Sequence, residues 1–499
     1  MQIRHYLLLV LSVFALLFVS VQGDEADSSE QTCTWSDRHN CGGVYRDANL
    51  KEMQVNLVGR EPESFFAYVH PDISTFYNKT EGSMAITETK FNGMMGKFVN
   101  MAATPITIYW KSHDPRQEPV YISQIEAYGA AGTATYPGHV FLVTPLGDSS
   151  IVLHEFQVVK GNSLYIYDPI GSLKEAQKTL PSPELERYKL QYDNLAFNNL
   201  YEQFTGRQWL ALYGRKEAPR YYMWPAESFG QVHTVVTKET HLLELPSDDR
   251  FEKMIPLNCH DPELREALQQ YKGSEETLIL NMTVVSVAPR VFEIKNFLSP
   301  AEVQHVLEVA LGMKLSQSTT KAGSVGQERT DDATRTSKNS WLSRHRSPII
   351  DSIIRRSADL LQMDEALFRR RNKDEEYLVP ETKIPISERL QLVHYDVGQQ
   401  YTPHHDFSIP STKHGQPSRF ATILFYLNDV QSGGETSFPR WMNGEKKDIL
   451  RVAPEVGKAV LFYNQLPDGN YDERSQHAAL PVGKGEKWLT NLWVWDPHM

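Results

Sequence analysis

Residues 390–407 read "LQLVHYDVGQQYTPHHDF", and the reading of this stretch decides the fold. Short runs rich in β-branched and aromatic residues, broken at Gly398, predict two strands, "LQLVHYDV" and "QYTPHHDF", in place of a helix. The same texture continues in "RFATILFYLNDV" (419–430), "GKAVLFYN" (457–464), "SQHAALPV" (475–482) and "KWLTNLWVW" (487–495). Upstream, "RVFEIKNFLSPAEVQHVLEVALGM" (290–313) runs from a strand into a helix. Ser299 is placed as its N-cap, Pro300 at the first helical position, and Glu302 closes a capping box. The apolar face of this helix is expected at Val303, Val306, Leu307, Ala310 and Leu311. A second helix, "SPIIDSIIRRSADLLQM" (347–363), repeats the device from Ser347. Two helices packed on six or more strands predict a sandwich or barrel of the jelly-roll type over 284–499.

The remaining chain divides by texture. At 499 residues it exceeds the ~250–300 that one hydrophobic core organises, so several domains are expected. Residues 45–150 carry short alternating stretches punctuated by Gly and Pro, which predict a small β domain. Residues 151–283 read as a mixed α/β connecting region, with helical spacing in "SPELERYKLQYDNLAFNNLYEQF" (182–204). The class is therefore α+β. The first 23 residues, with Arg4 ahead of an apolar run from Tyr6 to Val21, read as a secretory signal peptide followed by an acidic leader over 24–44. A retained signal anchor is the alternative, and no later segment is apolar enough to span a bilayer. This places the protein in the secretory pathway, in the endoplasmic reticulum lumen or outside the cell. Cys33 and Cys41 could close a small disulfide loop there or stay as two thiols, leaving Cys259 single. Sequons at Asn78 and Asn281 fit a lumenal glycoprotein. With 62 acidic against 51 basic residues, a net charge of −11 and no basic run beyond "RRR" at 369–371, nucleic acid is excluded as a partner.

In "YTPHHDF" alternate side chains of a strand share a face, so His404 and Asp406 point together and His405 points away. A later strand carries His477. Two histidines and one carboxylate form the facial set that leaves positions open on non-haem Fe(II) for a co-substrate and O₂. Ten residues on, Lys487 is placed to pair with the far carboxylate of a dicarboxylic co-substrate.

The stretches "HYDVGQQYTPHHDF", "RFATILFYLNDVQSGGETSFP" and "HAALPVGKGEKWLTNLWVWDP" resemble the core of the prolyl 4-hydroxylases, over about 290–497. The resemblance implies a double-stranded β-helix and a dioxygenase of the procollagen-proline 4-dioxygenase type, using Fe(II), 2-oxoglutarate, O₂ and L-ascorbate. It implies hydroxylation of a proline-containing peptide to 4-hydroxyproline, with release of succinate and CO₂. By position, His404, Asp406 and His477 would bind iron, and Lys487 would hold 2-oxoglutarate with help from Tyr395 and Thr436. Tyr401, Arg419 and Trp493 match peptide-contacting positions, as do Arg335, Ser337, Trp341 and Glu388. Two departures, His405 in place of a common aromatic and the end of the chain at Met499, argue against a collagen-specific enzyme. Competing readings are the same chemistry on lysine or a free amino acid, and a lumenal binding protein without activity.

A second resemblance lies at 97–144, where "ITIYWKSHDPRQEPVYISQIEAYGAAGTATYPGHVFLV" is similar to the β domain of the von Hippel–Lindau protein, which binds hydroxyproline-containing peptide. It implies a pocket of Trp110, Tyr121, Thr135 and His139. Ala134 and Phe141 stand where that domain has a histidine and a tryptophan.

Overall fold

The computed structural model describes residues 92–205, 207–212, 222–244, 266, 277–318, 334–370, 385–407, 418–441, 449–467 and 469–496. The signal segment, Cys33, Cys41, Asn78 and Cys259 lie outside the described residues. Among the described residues no helix is long and apolar enough to cross a membrane. The architecture is mixed and rich in sheet, with few helices.

Short strands separated by turns build a first unit from β1 (Met94–Asn100), β2 (Ile106–Lys111), β3 (Val120–Ile125), β4 (Ala130–Thr135), β5 (Val140–Pro145), β6 (His154–Gln157) and β7 (Leu164–Tyr167). They form two sheets, in the orders β4-β1-β7 and β3-β2-β5-β6, with β1 and β7 parallel. Phe98, Ile106, Ile108, Ile125, Phe141, Val143 and Phe156 fill the space between them. Because β7 belongs to this unit, the sheet structure extends past the boundary expected at residue 150. Helices α1 (Leu173–Thr179) and α2 (Ser182–Thr205) contribute Ala176, Tyr188, Tyr192 and Leu195 to a second core with Met95, Val99 and Ile166. Ser172 caps α1 by accepting from the Glu175 amide.

The larger unit comprises β8 (Val232–Thr237), β9 (Leu278–Ser286), β10 (Val291–Ile294), α3 (Pro300–Leu311), β11 (Ser316–Gln317), β12 (Lys338–Leu342), α4 (Pro348–Leu360), β13 (Leu390–Tyr395), β14 (Tyr401–His404), β15 (Arg419–Tyr426), β16 (Ser432–Gly433), β17 (Thr436–Phe438), β18 (Leu450–Val452), β19 (Ala459–Tyr463), β20 (His477–Ala479), β21 (Val482–Lys484) and β22 (Lys487–Trp495). A nine-stranded sheet runs β11-β12-β13-β22-β15-β19-β10-β9-β8, and a four-stranded sheet runs β14-β20-β17-β18. Its first strands precede residue 284, so the expected boundary falls inside β9.

Alternation assigns the two faces of the large sheet. On β15, Ala421, Ile423 and Phe425 join a core with Val306, Ile350, Ile353 and Ile354 of α3 and α4. Leu424 and Tyr426 face the other way, into a core shared with Phe438 and Val452 of the small sheet. Strands covered on both faces are apolar throughout, which is why "RFATILFY" shows no amphipathic pattern.

The capping box on α3 forms as expected, with Ser299 and Glu302 bonded reciprocally. The buried face of α3 differs from the expected one: Val309 is buried and Leu311 is 75% exposed. The cause is Glu302, which turns inward to meet Arg356 of α4 in a two-point ion pair at 2.6 and 2.8 Å, both side chains buried. Rotating the helix to bury that carboxylate carries Leu311 into solvent.

Candidate metal centre

His404 on β14 and His477 on β20 are direct partners across an antiparallel pair, so their imidazoles face one another with ring centroids 4.4 Å apart. β14 ends at His404, and Asp406 arrives from the segment beyond it. One ligand atom each from His404, Asp406 and His477 lie within 4.8 Å of one another. His404 Nδ1 donates to the Thr402 carbonyl at 2.9 Å and His477 Nδ1 to the Ser475 carbonyl at 3.0 Å. With Nδ1 carrying the proton, each Nε2 lone pair is left for a metal. Burial, joined by the facing His477, drives the His404 pKa well below its ordinary value, so the ring is neutral. Burial works to raise the Asp406 carboxyl, but His477, His404 and Arg419 outweigh it and hold it at about 2. Two imidazoles that each direct Nε2 to the centre and one carboxylate suit a divalent cation of the Fe(II) type.

The carboxylate is oriented by its neighbours. Oδ2 accepts from Thr422 Oγ1 and from Trp493 Nε1, each at 2.9 Å. Asn464 donates to the Thr422 hydroxyl, which directs the Thr422 proton to Asp406. Among the described residues no donor reaches Oδ1 within hydrogen-bond distance, and this oxygen lies 3.7 Å from His404 Nε2. Sequence reasoning missed Thr422 and Asn464. The available signal for Thr422 was a hydroxyl inside an otherwise apolar strand.

His405 is the other residue of the pair, and its surroundings differ from those of a solvent-facing neighbour. Its ring stacks on Phe407, its Nε2 donates to the Glu473 carbonyl at 3.0 Å, and burial pulls its pKa down to about 3.

Lys487 opens β22 opposite Tyr395 of β13 and is 1% exposed. Its Nζ has no hydrogen-bond partner among the described residues and lies 5.4 and 5.6 Å from the ring centroids of Tyr395 and Tyr426. Burial pulls its pKa down to about 7, against the opposing influence of Glu435. A buried ammonium without a partner fits a site for a carboxylate that the chain itself does not supply. Thr436 is buried close by and accepts from the Tyr426 hydroxyl at 2.7 Å. Gly433 permits this approach of strands: its φ is +73°, and a Cβ there would sit 2.3 Å from the Pro481 carbonyl oxygen.

The residues expected to touch peptide separate into a rim and a support. Tyr401 stacks on His404 at 3.5 Å with the Arg335 guanidinium 4.6 Å from its centroid. Trp341 is half-buried, its ring 6.0 Å from that of Trp493. Ser337 is fully buried and donates to the Ser318 hydroxyl, so the expectation of a peptide contact is corrected. Arg419 and Glu388 form a two-point ion pair at 2.6 and 3.1 Å, Arg419 lies 3.7 Å over Trp493, and Glu388 also accepts from Trp495. Both therefore brace the Asp406 segment, to whose carbonyl Arg419 donates at 3.2 Å.

In the first unit, Trp110 and His139 have ring centroids 5.4 Å apart, and the Thr135 hydroxyl lies 3.2 Å from His139 Nδ1. Tyr121 is not with them. It pairs with Tyr109, ring centroids 5.8 Å apart, and alternation puts Tyr109 on the face of β2 opposite Trp110. The expected four-residue pocket is corrected accordingly.

The model of the 2OG-Fe(II) oxygenase superfamily matches residues 390–495. Probable prolyl 4-hydroxylase 3 of Arabidopsis thaliana is 35% identical over 227 residues, which are 42% of this chain and 71% of that protein. Prolyl 4-hydroxylase subunit alpha-1 of Gallus gallus is 34% identical over 211 residues, 41% of this chain and 36% of the relative. Among solved structures, a viral collagen prolyl hydroxylase from Paramecium Bursaria Chlorella virus-1 overlaps 41% of this chain and 95% of its own, at 23% identity and a TM-score of 0.30. By its metal-ligand geometry, its buried lysine and these sequence identities, the chain belongs to the prolyl 4-hydroxylase family of 2-oxoglutarate- and Fe(II)-dependent oxygenases.

Proposed function

We propose that the protein hydroxylates peptidyl proline to 4-hydroxyproline, consuming 2-oxoglutarate and O₂ and releasing succinate and CO₂, with L-ascorbate as reductant. The observation that carries this reading is the cluster of His404, Asp406 and His477 in the same two-sheet unit as Lys487, whose buried ammonium has no hydrogen-bond partner among the described residues. The two sheets around it are those of a double-stranded β-helix. Bound Fe(II), with 2-oxoglutarate and O₂, supplies the oxidant that replaces a C–H bond by C–OH. His404, Asp406 and His477 would hold the metal. Lys487 would neutralise the distal carboxylate of 2-oxoglutarate, beside Tyr395 and Thr436. Tyr401, Trp341 and Trp493 would line the approach of the peptide and exclude water from the reacting carbon.

Purified protein with Fe(II), 2-oxoglutarate, ascorbate and a panel of proline- and lysine-containing peptides should add one oxygen to proline, with matching succinate. Oxygen addition only to lysine or to a free amino acid, or none at all, contradicts the reading.

We place this activity in the secretory pathway, on the strength of the N-terminal segment and of Asn281, which is exposed on the outer face of β9 opposite Thr234. Protein made in a secretory host should lose mass on endoglycosidase treatment, by an amount that Asn281→Gln reduces. No shift in either chain would move the protein to another compartment.

A further inference from the structure

We infer that the first unit of the chain is a positioning element of the metal centre, acting through Asn470 and Glu473 on both segments that carry the ligands. The inference rests on the assignment of His404, Asp406 and His477 as metal ligands.

Phe407 follows Asp406 directly, yet it is buried in the core of the first unit. It lies there with Tyr471, among Met95, Tyr188, Trp209 and Leu210. The rings of His405, Phe407 and Tyr471 stack in series, with centroid separations of 4.6 and 4.4 Å and interplanar angles of 25° and 17°. Beside them Asn470, 1% exposed, forms a polar joint. Its Oδ1 accepts from the amides of Leu210 at 2.7 Å and Ala211 at 3.3 Å, and its Nδ2 donates to the Gln208 carbonyl at 2.9 Å. Three residues on, Glu473 Oε1 accepts from the Met95 amide of β1 at 2.8 Å. Its Oε2 pairs at 2.9 Å with Arg440, which also donates to the Gly93 carbonyl.

The consequence lies in what the next residues do. Glu473–Ser475 form a single 3₁₀ turn between these anchors and His477. Two carbonyls of that turn face the ligand segments. The Glu473 carbonyl accepts from His405 Nε2, between the two ligands His404 and Asp406, and the Ser475 carbonyl accepts from His477 Nδ1, each at 3.0 Å. One short turn therefore sets the back of both ligand segments, and the first unit sets the turn. Asn470 and Glu473 touch none of the reacting atoms, so they are positioning residues. Metal ligands need placement within ~0.5 Å, and loss of such supporting bonds typically costs ~10- to 100-fold in metal affinity.

The test uses the full chain and Mn(II) as probe, with free Mn(II) read by paramagnetic resonance. Binding by the unaltered protein tests the ligand assignment; its absence would remove that assignment and this inference together. Given binding, Asn470→Ala and Glu473→Ala should each weaken it by about 10- to 100-fold. Glu473→Gln keeps an acceptor for Met95 and should recover most of the affinity. Phe141→Leu, in the sandwich core of the first unit away from the joint, should lower the melting temperature and leave Mn(II) affinity unchanged. Coupling is reciprocal, so Mn(II) should also slow hydrogen exchange at the amides of Met95, Leu210 and Ala211 in the unaltered chain. Unchanged affinity in both alanine variants, an equal loss in Phe141→Leu, or metal-independent exchange at those amides would overturn the inference.

Discussion

Asp406 shows how a carboxylate in a candidate metal site is oriented by its neighbours. Thr422 and Trp493 both donate to Oδ2, so Oδ1 would be the oxygen with a lone pair free of hydrogen bonds for an ion. A hydrogen bond to a charged acceptor is worth ~1.5–3 kcal/mol, or about 10- to 150-fold in binding. Trp493→Phe and Thr422→Val should each weaken Mn(II) binding within that range, and affinity equal to that of the unaltered protein would show that the carboxylate is oriented by other means. Lys487 gives a pH signature. Its folded pKa of about 7 lies below the ordinary 10.5, so between those values the unfolded chain holds a proton that the folded chain lacks. Stability of the ligand-free protein therefore rises across that window and is flat below it. Binding a carboxylate needs the charged form, so 2-oxoglutarate affinity should fall as pH rises above about 7, by up to about tenfold per unit. Calorimetry on the Mn(II)-loaded protein without O₂ measures this. A flat profile from pH 6.5 to 8.5, or the same slope in Lys487→Arg, would remove Lys487 from the co-substrate site.

Among the elements, α3 and α4 show which part of a helix is legible. Ser299 and Glu302 announce the start of α3, because a capping box is a bond between residues three apart. The buried face is not announced, because it depends on Arg356, 54 positions away in sequence. Ser337 has the same history, since its burial is decided by Ser318 and by strands that fold over it. Replacing Arg356 by Met leaves Glu302 buried and uncompensated, at a cost of ~3–5 kcal/mol. Thermal melting should show a large loss for Arg356→Met and a substantial recovery when Glu302→Leu is added. A single variant that melts with the unaltered protein would mean that the pair is dispensable. The strands β14 and β20 illustrate the converse case. Their register brings His404 opposite His477, two residues that the donor set and the resemblance to the prolyl 4-hydroxylases had assigned to one centre.

At the scale of the whole molecule, the sheet-rich catalytic unit was legible because the motifs that carry its family resemblance and its strand texture sit within about a hundred residues of sequence. The relation between the two units was not legible, because Phe407, Asn470 and Glu473 look like ordinary loop residues until Met95, Leu210 and Ala211 are folded against them. His405 belongs to the same case. Strand alternation predicted that it points away from His404 and Asp406; β14 ends at His404, and only the fold shows that His405 turns toward the first unit. All of these arrangements serve one claim, that this centre inserts oxygen from O₂ into proline at the expense of 2-oxoglutarate. The most direct measurement is mass spectrometry after incubation of the full chain with Fe(II), 2-oxoglutarate, a proline-containing peptide and heavy-isotope O₂. One labelled oxygen is expected in 4-hydroxyproline and one in succinate, both lost in His404→Ala. Unlabelled hydroxyproline, labelled succinate without peptide oxidation, or full activity in His404→Ala would contradict that claim.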